Sequence, residues 1–217
     1  MLAKSPVVGC VKTRLVPPLT PSESAELARA FAHDFGARMG RLAPLLHATL
    51  FLYFTPSDAI KDFGFLEPAP VLRPQCAGDL GAKMRSIVVD LAAEGFGQVV
   101  LVGSDTPTLP DAHVAAAFAG LDACNQIAIS RAEDGGYVLL GLDALYAELF
   151  TDIAWSTASV YDTTVKRARE RGRSVHELPP WYDVDTVSDL VRMRQECRNE
   201  VGALSPRTHK VLKRLQF

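Results

Sequence analysis

The sequence predicts an α/β protein whose mostly parallel sheet lies inside a three-layer α/β/α sandwich. The chain has 217 residues, which is the size of one α/β domain and would be cramped for two. Strand-like and helix-like segments alternate along it, which is the pattern of a parallel sheet covered by helices. The run 98–103 (QVVLVG) is apolar and β-branched, as is typical of a strand buried on both faces in the centre of such a sheet. We therefore expect a single domain over residues 1–217.

Short apolar runs predict the strands, and apolar side chains three and four positions apart predict the helices. After the first strand, the predicted strands are residues 47–54, 71–74, 98–103, 126–131, 137–142 and 174–178. The predicted helices are residues 22–42, 80–94, 111–122, 158–171 and 187–199. Ser22 or Ser24 can cap the first helix, and Thr186 and Asp189 have capping-box spacing at the start of the last one.

The first strand is short, because only Met1, Leu2 and Ala3 precede Lys4. A strand of three residues spans only about 10 Å, although the first strand of a doubly wound sheet has neighbours on both sides. We therefore expect the natural chain to begin with further apolar residues upstream of Met1. The alternative is a naturally short first strand that is compensated elsewhere.

Composition and charge argue against several classes of protein. Lys and Arg number 23 and Asp and Glu number 25, so the net charge is −2 and the chain lacks the basic footprint of a general nucleic-acid binder. No apolar run approaches the roughly 20 residues of a membrane span, and Lys4, Pro6 and Gly9 interrupt any signal-peptide core. The four cysteines form no Cys-x-x-Cys motif, which fits reduced and mostly buried thiols. We expect a cytoplasmic protein.

The loop after the first strand is rich in cations. Within residues 4–15, Gly9 permits close approach of a ligand to the backbone, and Lys12 and Arg14 offer a compact charge and a planar fork that suit phosphate oxygens. The spacing is not that of a P-loop. A solvated basic loop is the alternative.

Carboxylates stand at two further positions where this kind of sheet delivers ligand-binding residues. Asp105 follows the buried strand 98–103 directly, where a carboxylate can bind a hard cation next to phosphate. Turn chemistry before Pro107 is the alternative. Asp183 and Asp185 precede a helix start, and an acidic first turn that complements the helix dipole explains them nearly as well as a metal site does.

Three weaker motifs have strong structural alternatives. Residues 133–137 (EDGGY) lie between two strand-like runs, and on this pattern alone a hairpin is the better interpretation. Asp79 can simply cap its helix, and Trp155 either lines a pocket or belongs to a helix cap. No Gly-x-Ser-x-Gly elbow is present, so a hydrolase triad has no support.

Taken in order, six segments resemble the radical-SAM/selenodomain-associated transferase family of the nucleotide-diphospho-sugar transferase (GT-A) superfamily. Some members of that family are named as glycosyltransferases of arsenosugar biosynthesis. The resemblance covers residues 3–191 and rests on KSPVVGCVKTRL, PQCAGDLGAKM, VLVGSDTPTLP, EDGGYVLLGL, AWST and DVDTVSDL. More distantly, the KTRL and DVDT segments are similar to guanylyltransferases of phospholactate and molybdopterin.

The resemblance implies a Rossmann-like GT-A fold and a site with separate parts. The implied nucleotide-binding residues are Lys4, Gly9, Lys12, Arg14, Asp79, Ser104 and Asp105. The implied metal ligands, for Mg²⁺ or Mn²⁺, are Asp105 and Asp185. The implied acceptor-binding residues are Asp134, Gly135, Gly136, Tyr137 and Trp155. The catalytic residues would be Asp105, Asp134 and Lys12.

The reaction that this resemblance implies is metal-dependent glycosyl transfer from a nucleotide-diphospho-sugar to a small-molecule acceptor. The alternative is nucleotidyl transfer from a nucleoside triphosphate to a phosphorylated acceptor, which the Lys-Thr-Arg-Leu loop favours because a triphosphate needs more cations. Both reactions release a phosphate leaving group whose growing charge a metal and cations stabilise. A binding module that has lost catalysis is a third class, but the carboxylates are all present.

Overall fold

A computed structural model of the chain describes residues 1–123, 126–196 and 204–217. Its strands are β1 (Leu2–Lys4), β2 (Phe51–Thr55), β3 (Val71–Pro74), β4 (Val99–Val102), β5 (Ile127–Ala132), β6 (Tyr137–Leu142) and β7 (Val175–Trp181). Its α-helices are α1 (Pro21–Leu45), α2 (Leu80–Ala93), α3 (Asp111–Asp122), α4 (Val160–Glu170), α5 (Val187–Glu196) and α6 (Pro206–Arg214). Short 3₁₀ turns lie at Thr13–Leu15, Ala59–Phe63 and Ala147–Leu149.

The chain divides into two compact units, each with its own sheet. The first unit comprises Met1–Pro74, Gly103–Leu109 and Asp183–Phe217, and the second comprises Gln75–Val102 and Pro110–Tyr182. The prediction of one domain over residues 1–217 stays a prediction. None of the helices in the described residues has the length and apolarity that crossing a bilayer requires.

In the first unit, β1, β2 and β3 form a parallel sheet in that order. Strand β1 has three residues, as the sequence predicts. Helix α1 buries an apolar face that includes Leu27, Phe31 and Phe35. The predicted cap of this helix was wrong: Thr20 caps it in a capping box with Glu23. Pro21 then begins the helix, where its fixed φ is favourable and its missing N–H costs nothing.

Helix α6 has no counterpart among the predicted helices. Its first-turn N–H groups lack a partner on their own segment, and Asp34 of α1 supplies one: the N–H groups of Arg207 and Thr208 donate to its carboxylate at 3.2 and 2.7 Å. The buried side of α6 consists of Thr208, Val211 and Leu212. The preceding helix ends at Glu196 within the described residues, and the predicted continuation over 197–199 lies outside them.

In the second unit the strand order is β4–β6–β5–β7. Strand β6 is antiparallel to both β4 and β5, and β7 is parallel to β5. The expectation that the strand at 98–103 lies in the centre of a parallel sheet is therefore wrong in this unit, because β4 stands at the end of the strand order and its neighbour β6 runs antiparallel. The reason is the tight turn over 133–136, which sends β6 back beside β5 as a hairpin and places it next to β4.

Three of the named strand pairings among the described residues are parallel and two are antiparallel. The predicted α/β class with a mostly parallel, Rossmann-like sheet is confirmed. The predicted burial of the cysteines was wrong for the two that are described, because Cys10 and Cys76 are both exposed.

Candidate functional site

Asp105 lies on a segment of the first unit that is fixed by backbone hydrogen bonds. Gly103 bridges Leu2 of β1 in the parallel sense, and the Ser104 N–H donates to the Leu2 carbonyl at 2.9 Å. The Asp105 carboxylate folds back over Gly103, and Oδ1 fills the place where a Cβ on that glycine would stand. The chain turns tightly here because the Thr106 hydroxyl donates to the Gly103 carbonyl at 3.0 Å.

Asp183 and Asp185 reach the same place through the segment that precedes α5. Val184, between them, is fully buried, and its N–H donates to the Asp105 carbonyl at 3.0 Å. The predicted capping box at the helix start is confirmed, since the Thr186 N–H donates to Asp189 Oδ2 at 2.7 Å and the Asp189 N–H to the Thr186 hydroxyl at 3.3 Å. This cap sets the direction from which the two aspartates enter the site.

Carboxylate oxygens of Asp105, Asp183 and Asp185 all lie within 4.8 Å of one another. All three residues are half-buried. Hard oxygen donors at this separation suit Mg²⁺ or Mn²⁺, so the donor set fits a divalent cation. Asp183 therefore lies in one cluster with the two residues that the sequence analysis expects as ligands. Its only sequence signal was the Asp-x-Asp spacing, which an acidic helix start explained nearly as well.

Lys12 projects its ammonium group into this carboxylate cluster. Its Nζ lies 2.7 Å from Asp185 Oδ1 and 3.7 Å from Asp105 Oδ2, and the side chain is only 10% exposed. Burial by itself lowers the pKa of Lys12, but the carboxylates of Asp105, Asp185 and Asp183 outweigh it and leave the pKa raised. The side chain is therefore a permanent cation at neutral pH.

The backbone around Lys12 is held in an unusual conformation. Lys12 has φ 46° and ψ 40°, a left-handed geometry that a residue with a Cβ seldom adopts. The buried hydroxyl of Ser24 on α1 is 2.9 Å from each of the Val11 and Lys12 carbonyls. Helix α1 thus holds the loop in place through Ser24, which stabilises the strained backbone conformation of Lys12.

The rest of the cationic loop is more open. Arg14 lies in the Thr13–Leu15 turn with 70% of its side chain exposed, and its Nη1 is 3.6 Å from Asp185 Oδ2. Gly9 has φ 76° with open space around it, so the turn requires glycine for its backbone rather than for room. Lys4 ends β1 and is exposed. Arg14 therefore presents a second positive charge beside Asp185, and a guanidinium suits phosphate oxygens.

The end of the Asp105 segment is anchored by side chains that sequence reasoning missed. Buried Arg38 of α1 donates to the Pro107 carbonyl at 2.8 Å and also to the Leu109 carbonyl, and the Ser205 hydroxyl donates to the Pro107 carbonyl at 2.9 Å. Contacts from side chains to backbone carbonyls leave no motif in a sequence, so no pattern could have indicated these residues.

The remaining predicted residues belong to the second unit. They are Asp79, Asp134, Gly135, Gly136, Tyr137 and Trp155. Asp79 caps α2 by accepting the Ala82 N–H at 2.8 Å, which confirms the cap interpretation, and its predicted contact with a nucleotide stays a prediction.

Three of the sequence motifs meet within this unit. Trp155 packs on the first turn of α2, where a Cβ at Gly81 would stand 2.5 Å from the indole. The Tyr137 hydroxyl donates to Met84 Sδ at 3.7 Å, and burial raises the pKa of this phenol. In the hairpin turn, Asp134 Oδ1 accepts the Gly136 N–H at 2.9 Å, so the hairpin interpretation of EDGG is confirmed.

The turn glycine Gly135 also has a reason for its identity. It has φ 90°, and a Cβ there would collide with the backbone of Ala158. The Tyr161 N–H donates to its carbonyl at 2.9 Å. The EDGG turn is thereby packed against the start of α4.

Comparison with known proteins gives one family and two informative relatives. The family described as "Uncharacterized protein conserved in bacteria (DUF2064)" matches residues 39–157. A crystal structure from Desulfovibrio desulfuricans G20, provisionally assigned as a nucleotide-diphospho-sugar transferase, is 34% identical with a TM-score of 0.83 and covers 98% of this chain and 94% of that one. The 2-phospho-L-lactate guanylyltransferase of Methanothermobacter thermautotrophicus is 26% identical over 182 residues, which is 82% of this chain and 76% of that protein.

Proposed function

We propose that this chain, which belongs to the DUF2064 family, is a divalent-metal-dependent transferase that uses a nucleotide-linked donor. The observation that carries the proposal is the cluster in which Asp105, Asp183 and Asp185 surround one buried cation, Lys12, with Arg14 beside it. Both relatives support a nucleotide-utilising transferase, since one is provisionally a nucleotide-sugar transferase and the other a guanylyltransferase by name.

The roles follow from the chemistry of each group. Asp105, Asp183 and Asp185 would hold Mg²⁺ or Mn²⁺, which supplies charge stabilisation for a departing phosphate. Lys12 and Arg14 would bind the phosphate oxygens of the donor: the ammonium acts as a point charge, and the guanidinium offers two parallel N–H groups. Neither role needs a protein nucleophile.

The other predicted residues extend the site on the donor and acceptor sides. For the donor, Lys4, Gly9, Ser104 and Asp79 are proposed as further nucleotide contacts. For the acceptor, the proposed contacts are Asp134, Gly135, Gly136, Tyr137 and Trp155. Asp134 has an exposed carboxylate on a tight turn, so it is the proposed group that orients or deprotonates an acceptor hydroxyl.

Glycosyl transfer is the leading reaction because the similar crystal structure covers nearly the whole chain at 34% identity. Nucleotidyl transfer is the second candidate, and the similarity to a guanylyltransferase over 182 residues favours it. An arsenosugar acceptor stays a prediction from the resemblance of the motifs.

Product analysis separates the two reactions. The protein is incubated with Mn²⁺ and either a panel of nucleotide sugars or the four nucleoside triphosphates, with small hydroxylated and phosphorylated acceptors. Release of a nucleoside diphosphate indicates glycosyl transfer, and release of pyrophosphate indicates nucleotidyl transfer. The Asp105→Asn variant is nearly isosteric but lacks the charge that a hard cation needs, so it should lose the Mn²⁺-dependent product. Equal turnover by this variant would exclude Asp105 as a metal ligand.

Thermal shift identifies the donor independently of turnover. A ligand that binds only the folded state raises the melting temperature by mass action. The cognate nucleotide should therefore stabilise the wild type more with Mn²⁺ than without it. The Asp105→Asn variant should lose this difference, and a difference of the same size in the variant would contradict the metal assignment.

A further inference from the structure

The Lys12 ammonium contacts two of the three carboxylates that the proposed metal needs. Its Nζ is 2.7 Å from Asp185 Oδ1 and 3.7 Å from Asp105 Oδ2. These two carboxylates, with Asp183, make up the whole cluster that could hold a divalent cation among the described residues. One position between the carboxylates is therefore open to two different cations, one from the chain and one from solution.

Lys12 is held in the cluster by more than a surface ion pair. Its side chain is 10% exposed, whereas Arg14, the other cation beside Asp185, is 70% exposed. The left-handed backbone at Lys12 and the Ser24 contacts to the loop carbonyls aim the side chain inward. A strained backbone that places a charge on a specific partner is typical of a functional site.

We propose that Lys12 is an internal counter-cation that competes with the divalent metal for Asp185 and Asp105. The ammonium withdraws from these carboxylates when donor phosphates arrive to accept it. The metal then binds tightly only together with the donor, because the donor removes its competitor. This inference rests on the proposed function, since it assumes that the carboxylate cluster holds a metal.

Competition predicts a change in metal affinity that a lysine which only binds phosphate would not produce. Removing the Lys12 charge should tighten metal binding in the protein without nucleotide, because the carboxylates lose a neutralising neighbour. Removing this charge should also reduce the factor by which the donor raises metal affinity. By thermodynamic linkage, the metal raises donor affinity by the same factor. A lysine that only binds phosphate would leave metal binding without nucleotide unchanged.

Manganese titration of the nucleotide-free protein tests the proposal directly. Free Mn²⁺ is measured by electron paramagnetic resonance for the wild type, Lys12→Met and Lys210→Met. Lys210 is an exposed lysine on α6 and does not belong to the carboxylate cluster, so its variant controls for the loss of one positive charge. We expect Lys12→Met to bind Mn²⁺ about tenfold more tightly than the wild type, and Lys210→Met to match the wild type.

A second variant separates the loss of the Lys12 charge from damage to the fold of the loop. Asparagine tolerates the left-handed backbone that Lys12 adopts, so Lys12→Asn should keep the loop and give the same gain in affinity. Circular dichroism and thermal melts check both variants. Wild-type or weaker Mn²⁺ affinity in a folded variant overturns the competition while leaving the metal site intact. No Mn²⁺ binding in any of the proteins overturns the proposed metal site itself, so the two failures are distinguishable.

The second arm adds ADP, CDP, GDP or UDP to the same titration. The nucleotide that binds should raise the Mn²⁺ affinity of the wild type by a larger factor than that of Lys12→Met, because only the wild type has a competitor to remove. An equal factor in the two proteins would overturn the release of Lys12 by phosphate. If none of the four nucleoside diphosphates binds the wild type, glycosyl transfer from a sugar linked to one of them is wrong, and with it the release of Lys12 by such a donor.

Discussion

Replacing Gly103 with alanine should weaken metal binding without unfolding the protein. The Asp105 Oδ1 atom lies where the new Cβ would stand, well inside van der Waals contact. The backbone of Gly103 is outside the left-handed region, so alanine can adopt its conformation. The collision is therefore relieved by rotation of the Asp105 carboxylate, which moves one of the three oxygen donors away from Asp183 and Asp185.

The effects on stability and on affinity should have opposite signs. A glycine-to-alanine change at a compatible position stabilises a protein by about 0.4–1 kcal/mol, because it restricts the unfolded chain. The carboxylate that must rotate is 41% exposed, so it can turn outward cheaply. Displacing a group that orients a metal ligand typically lowers metal affinity about 10- to 100-fold. Since the ligand itself moves here, we expect a loss at the upper end of that range.

Calorimetric Mn²⁺ titration and thermal melts measure the two quantities on the same samples. Gly97→Ala is the matched control, because a Cβ there meets nothing within 4 Å and the backbone is not left-handed. It should change neither metal affinity nor the site. Wild-type Mn²⁺ affinity in a folded Gly103→Ala protein would refute the argument, since Asp105 would then bind metal from a different rotamer or not at all.

Three further outcomes follow from the geometry. Arg14→Lys should weaken nucleotide binding several-fold by calorimetry despite keeping the charge, because an ammonium cannot contact two oxygens at once; equal affinity would make Arg14 a solvated loop residue. Burial lowers the pKa of His113 below its unfolded value near 6.5, so the stability that the neutral imidazole contributes is complete above pH 6.5 and is lost on acidification. His113→Gln should therefore make the melting temperature depend less steeply on pH between pH 7.5 and pH 5, and an unchanged slope would contradict this. Gly81→Ala should cost about 1–3 kcal/mol in denaturant unfolding and shift tryptophan emission, since its Cβ would stand 2.5 Å from the Trp155 ring; wild-type stability and emission would contradict the packing.

The convergence of Lys12 and Asp105 in the candidate site could be predicted from the fold class. Residues that follow parallel strands meet at one edge, so Lys12 after β1 and Asp105 after β4 could be expected to converge. Asp185 was predicted from the resemblance of its motif, and the structure places all three within one cluster. Asp183 remained ambiguous in the sequence, because acidic residues before a helix are stabilising without any ligand.

What escaped prediction depends on partners far away in the sequence. Helix α6 is short and polar, and its N-terminal N–H groups are satisfied by Asp34, more than 170 residues earlier. Arg38 and Ser205 act on backbone carbonyls, which every residue has. The antiparallel neighbour of β4 was missed for a different reason, since a buried strand is apolar on both faces whichever way its neighbour runs.

The segmentation of the first unit has a consequence for how the protein is made. Its last segment begins at Asp183, after the whole of the second unit has been synthesised. Asp185 is translated 80 residues after Asp105, about 4–16 s later at synthesis rates of about 5–20 residues per second. During that interval Lys12 and Asp105 can meet on the ribosome, but the carboxylate cluster is incomplete. If the cluster holds the proposed metal, a nascent chain could bind that metal only after Asp185 has been made, when the second unit has already been synthesised.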